Sequence, residues 1–78
     1  MSKNIKVFST PSCPWCIRAK AYLANKNIDF EDIDVSKDQQ AAQQMIARSG
    51  QQGVPQIWID DEVVIGFDQN KIEQLLSK

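Results

Sequence analysis

The chain has 78 residues, enough for one small core, because a second could not bury the apolar surface needed to offset its own ordering entropy. With 42% hydrophobic and 24% charged residues the composition is that of a globular protein rather than a disordered one. The net charge of −1, from nine basic and ten acidic residues that are interspersed, leaves no electrostatic footprint for nucleic acid or an anionic membrane. Apolar runs are only a few residues long, so no transmembrane helix is expected, and Met1-Ser2-Lys3-Asn4-Ile5-Lys6 lacks the apolar core of a signal peptide. A cytoplasmic location and a monomer are the default expectations.

The first apolar segment, Ile5-Lys6-Val7-Phe8, is β-branched and aromatic and reads as a strand, closed by Ser9, Thr10, Pro11 and Ser12. Pro14 then suits the first position of a helix, where its missing N–H costs nothing, and this puts Cys13 at the helix entrance. The helix runs over Trp15 to Lys26, with Cys16, Ala19 and Leu23 as one buried stripe and Ile17, Ala21 and Ala24 as a second. A second strand is expected over Ile28 to Val35, with a bulge or an early end where the apolar phase slips between Phe30 and Ile33. Either Ser36 or Asp38 can cap a helix over Gln39 to Arg48, whose apolar side is Ala42, Met45 and Ile46. After the loop Ser49 to Gly53, Val54 to Ile59 and Glu62 to Gly66 flank a turn at Asp60-Asp61 and read as a hairpin. Asp68 caps a last helix with Ile72, Leu75 and Leu76 as its core stripe. The order β-α-β-α-β-β-α predicts an α/β domain in which three helices cover a mixed four-stranded sheet.

Both cysteines of the chain, Cys13 and Cys16, sit at the start of the first helix. A disulfide between them closes a loop of four residues and contributes roughly 1.9 kcal/mol by chain entropy, against about 3 for a fifteen-residue loop, so a structural staple is a poor reading. Thiol–disulfide exchange is a better one. It needs a thiolate at neutral pH, and the unpaired N–H groups and positive dipole end at a helix N-terminus favour one at Cys13 by lowering its pKa. Arg18 and Lys20 are expected to add a weaker, screened effect. Cys16, one turn further on and on the apolar face, is expected to be the resolving thiol. A zinc site would need ligands beyond two cysteines in a chain without histidine. Trp58, out of phase with Ile57 and Ile59, is expected to cover the opposite face of the sheet, whereas Trp15 suits the rim of a site.

Cys13-Pro14-Trp15-Cys16 after the first strand, Arg48-Ser49-Gly50 before Val54-Pro55-Gln56-Ile57, and Gly66-Phe67-Asp68 before the last helix together resemble the glutaredoxins, small members of the thioredoxin-fold superfamily. The resemblance covers nearly the whole chain. It implies a cis peptide bond at Pro55, a dithiol disulfide reductase with no tightly bound cofactor, and glutathione as electron donor and co-substrate. It also implies the contacts: Val54 and Pro55 along the tripeptide backbone, Asp68 and Phe67 at its γ-glutamyl end, Gln52 at its glycine carboxylate and Trp15 beside it. Protein disulfides, among them that of ribonucleotide reductase, are the implied partners. Gly66-Phe67-Asp68 also resembles the glutaredoxin-like redoxins, which take electrons from thioredoxin reductase instead. The alternative of another class is a protein that binds an iron–sulfur cluster or a metal; a cluster is known among some glutaredoxins, and the resemblance implies that Pro14 disfavours it.

Overall fold

The computed structural model describes residues 4–77; Lys3 and the amino-terminal dipeptide, on which part of the signal-peptide expectation rests, lie outside them. Seven elements follow in the expected order: β1 (Ile5–Ser9), α1 (Pro14–Asn25), β2 (Glu31–Asp34), α2 (Gln39–Ser49), β3 (Gln56–Ile59), β4 (Glu62–Ile65) and α3 (Gln69–Leu76). The sheet order is β2-β1-β3-β4. β1 pairs parallel to β2, with Phe8 opposite Ile33, and antiparallel to β3, with Val7 opposite Ile57. This is the thioredoxin-fold arrangement.

Alternation along the two central strands divides the core. Ile5 and Val7 of β1, Ile57 and Ile59 of β3 and Val64 of β4 share one face with Ala19 and Leu23 of α1 and Ile72 and Leu75 of α3. Phe8 points the other way and meets Ala41 and Met45 of α2, with Trp58 packed beside it at a ring-centroid distance of 4.4 Å. Trp58 therefore covers the second face, as its phase in the strand predicts.

Each helix start follows from its cap. Asp38, rather than Ser36, accepts the Ala41 N–H (3.0 Å) for α2, and Asp68 accepts the Lys71 N–H (3.2 Å) for α3. Gly50 ends α2 in the left-handed region at φ 72°, its N–H bonded to the Ile46 carbonyl at 2.7 Å. Ser36 serves a turn instead, its N–H donating to Asp34 Oδ1 at 2.9 Å.

Three expectations need correction. The second stripe of α1 is not buried: Ile17 is 57% exposed, and Ala21 and Ala24 also face solvent. A helix lying on one face of a sheet buries a single stripe, here Cys16, Ala19 and Leu23, and residues about 100° around from it turn outward. On α2 the same geometry buries Ala41 with Met45, leaves Ala42 half-buried and turns Ile46 outward. The second strand begins only at Glu31, because pairing starts at Lys6 opposite Glu31, and the preceding Ile28 and Phe30 pack against the core from the connection.

Candidate active site

Cys13 is the N-cap of α1 and Pro14 its first helical residue, so the chain enters the helix at the thiol. Cys13 Sγ accepts the Cys16 N–H at 3.2 Å, one of the donors a helix start leaves unpaired, and its S–H reaches the Val54 carbonyl at 3.8 Å. Both thiols are reduced. Cys13 is partly exposed and Cys16 has no exposed surface. Burial, with the Cys13 side-chain contact adding to it, pushes the Cys16 thiol up from 9.0 to about 11. The two thiols thus differ in access, and burial holds the enclosed one protonated, although only three residues separate them.

Across from Cys13 runs the segment Gln51–Gln56. The Val54–Pro55 peptide bond is cis, as the resemblance implies. Gly66, at φ 79°, donates its N–H to the Pro55 carbonyl at 2.8 Å, which ties the Gly66-Phe67 turn to the cis-proline segment. Trp15, Val54, Pro55, Gly66 and Phe67 line one groove beside the cysteines. A second, more polar cleft continues from it between α1 and α3, with Trp15, Arg18, Tyr22, Phe67 and Asp68 in its walls.

Of the residues singled out from sequence, Trp15, Val54, Pro55 and Phe67 come together at the groove, and Asp68 joins at the cleft. Trp15 is 56% exposed, the rim position expected for it, and carries the Arg18 guanidinium 4.9 Å from its ring centre. Asp68 spends one carboxylate oxygen on its own helix. Gln52 is exposed on the loop before Val54. Of the two cations expected to act on Cys13, Arg18 lies over the Trp15 ring and Lys20 pairs with Asp32 at 3.1 Å.

Sequence reasoning misses Gln56. Its side chain has no exposed surface, and its Nε2 donates to the carbonyls of Gln51 (3.1 Å) and Gly53 (3.0 Å) while its Oε1 accepts from Trp58 Nε1 (3.4 Å). It anchors the loop that delivers Val54 and Pro55. A glutamine directly after the proline in a strand otherwise read as apolar was the available signal.

Fold and site together define a thioredoxin-fold protein with a dithiol at a helix start facing a cis-proline. Residues 5–64 match the glutaredoxin family model. An uncharacterized glutaredoxin-like 8.6 kDa protein of the rubredoxin operon of Clostridium pasteurianum is 46% identical over 74 residues, covering 95% of this chain and 99% of that protein. Glutaredoxin 3 of Escherichia coli is 37% identical over 65 residues, covering 83% of this chain and 78% of the relative. Among solved structures, the glutaredoxin-like NrdH-redoxin of Escherichia coli, described by its thioredoxin-like activity profile, superposes with a TM-score of 0.84 at 28% identity, covering 92% and 93% of the two chains. The chain belongs to the glutaredoxin family, a family of thiol–disulfide oxidoreductases. Among the described residues no helix is long and apolar enough to cross a membrane.

Proposed function

We propose that this protein reduces protein disulfides by a dithiol cycle in which Cys13 attacks and Cys16 resolves, with electrons supplied by thioredoxin reductase in a reducing compartment such as the cytoplasm. The observation that carries the role assignment is the asymmetry of the pair: Cys13 is accessible and accepts a helix-start N–H, and Cys16 is enclosed and held protonated. In the first step the Cys13 thiolate attacks a disulfide R–S–S–R′, forming Cys13–S–S–R and releasing R′–S⁻, which takes a proton from solvent. In the second, Cys16 attacks the Cys13 sulfur, closing the Cys13–Cys16 disulfide, and its proton ends on the departing thiol R–SH. Two electrons and two protons from the reductase then restore both thiols.

The groove favours a protein over glutathione as the exchanging partner. Trp15, Val54, Pro55, Gly66 and Phe67 carry no charge, which suits an extended peptide segment with an apolar side chain next to its disulfide. Glutathione would bring two carboxylates. Ribonucleotide reductase fits as a substrate class because its disulfide belongs to a protein.

Glutathione as electron donor and co-substrate is the second reading, and one observation favours it. The start of α3, with Gln69 and Asn70, opens into the same cleft as Arg18, where a γ-glutamyl carboxylate would find donors and a cation. Gln52, Val54, Pro55, Phe67 and Asp68 would then serve as the resemblance implies. The two readings separate in one experiment. Oxidised protein is given NADPH with thioredoxin reductase, or NADPH with glutathione and glutathione reductase, and NADPH consumption is followed. Faster reduction by thioredoxin reductase is expected; reduction only by the glutathione system would overturn the first reading and establish the second.

A further inference from the structure

The resolving step has a difficulty that neither the helix start nor the groove removes. Cys16 must lose its proton to attack, yet it has no exposed surface, and the first turn of α1 presents its N–H to Cys13 rather than to Cys16. A second arrangement sits at the junction of α1, β1 and β2. Lys20 follows Cys16 by four residues in α1, so both project from one face of the helix, about 5–6 Å apart at Cβ. Helical side chains lean toward the N-terminus, and Lys20 therefore covers the turn that holds Cys16. Its ammonium has a partner: Lys20 Nζ lies 3.1 Å from Asp32 Oδ2, with 26% of the Lys20 side chain and 50% of the Asp32 side chain exposed. Asp32 is itself held by Ser9 at the end of β1, whose hydroxyl donates to Asp32 Oδ1 at 3.1 Å and which is 2% exposed.

We infer that Lys20, anchored by Asp32 and Ser9, is a positioning residue for the resolving step, its positive charge favouring the Cys16 thiolate as it attacks the Cys13 sulfur. The inference rests on the role assignment proposed above. The groups that act on Cys16 are Cys13 at the helix start, whose contact and charge oppose ionisation, the Thr10 backbone N–H, which favours it, and Lys20, which favours it as well. Asp32 enters through Lys20, because its carboxylate holds the ammonium in place. With Lys20 removed, burial and Cys13 are left opposed by the Thr10 N–H alone.

The bond changes are those of thiol–disulfide exchange. Cys13–S–S–R and Cys16–SH give the Cys13–Cys16 disulfide and R–SH, with no outside oxidant or reductant. Without Lys20 the thiolate fraction of Cys16 falls, but the remaining thiolate is more nucleophilic, with a Brønsted slope of about 0.5, so the rate falls by less than the thiolate fraction does.

The experiment is a stopped-flow reaction of the reduced protein with 5,5′-dithiobis(2-nitrobenzoate). Attack by Cys13 releases one thionitrobenzoate, and resolution by Cys16 releases the second, so the two steps appear as two absorbance phases. In Lys20→Met the second phase should slow and its pH profile move upward, with the first phase at the wild-type rate, and Lys20→Arg should restore the second phase. Cys16→Ser should show the first phase only. A second phase in Lys20→Met equal to wild type, or slowing of both phases alike, with Cys16→Ser still lacking the second, would overturn the Lys20 inference and leave the role assignment standing. A second phase that survives in Cys16→Ser would overturn both.

Discussion

Replacing Gln56 by leucine keeps its volume and removes its polar contacts, so the loss measures what the anchor contributes. The two hydrogen bonds from Nε2, at 3.1 and 3.0 Å, are each worth about 1 kcal/mol net, and the longer contact from Trp58 Nε1 at 3.4 Å adds less. Gln51 and Gly53 are exposed, so water takes over part of what their carbonyls lose, which brings the sum to about 2 kcal/mol. For a domain of this size that is a fall in Tm of about 8–16 °C, a large share of a total stability on the order of 4–12 kcal/mol. The loop before Val54 and Pro55 loosens at the same time, so kcat/KM for disulfide reduction should drop as well. Gln56→Glu should cost more, since an acceptor-only side chain would face two carbonyl oxygens. Thermal unfolding by circular dichroism and steady-state disulfide reduction measure both effects. A Gln56→Leu protein that melts within about 2 °C of wild type and turns over normally would refute the assignment of Gln56 as anchor.

Cys13→Ser should abolish the first attack on a disulfide substrate, whereas Cys16→Ser should still form the mixed disulfide at Cys13 and stop there, as mass spectrometry of the trapped adduct would show; an adduct that forms in Cys13→Ser would contradict the roles. Leu23→Ala, in the larger core cluster and with no exposed surface, should lose about 2–5 kcal/mol by denaturant titration. Asp38→Ala should lose about 1 kcal/mol by the same measurement, because the Ala41 N–H goes uncapped, and Asp38→Ser should recover most of it. The reduced protein should lose stability as pH rises from about 9 to about 11, because the unfolded chain gives up the Cys16 proton first and the folded one retains it. The slope over that range should be shallower in Cys16→Ser, and identical slopes would argue against an enclosed, protonated thiol.

Much of this was legible because the signals were local. Pro14 placed Cys13 at the helix start, Asp68 marked the beginning of α3, and alternation put Trp58 on the face opposite Ile57 and Ile59. What escaped the sequence depends on partners far away in the chain. The late start of β2 is set by its register with β1, and the segment's own apolar residues, Ile28 and Phe30, pointed to a longer strand. Ile17, Ala21 and Ala24 have helical spacing as good as the buried stripe's, and only the position of the sheet decides which stripe is covered. Gln56 offered only the hint of a polar residue in an apolar strand, because an anchoring side chain is recognised by the carbonyls it holds, and those belong to a loop whose path no periodicity describes. Sequence position tied Lys20 only to Cys13, and its partner Asp32 comes into reach only through the parallel pairing of β1 with β2.

The enclosure of Cys16 has a kinetic consequence. A sulfur arriving from outside has only Cys13 to exchange with, since the second thiol has no surface of its own. Donor and acceptor must therefore use the same doorway in turn, and no ternary complex can transfer electrons straight through the protein. Turnover should follow a ping-pong pattern, with parallel double-reciprocal lines, and an excess of either partner should inhibit by occupying the entrance the other needs. The protein is in this sense a shuttle: it carries two electrons away from one partner before it can meet the next.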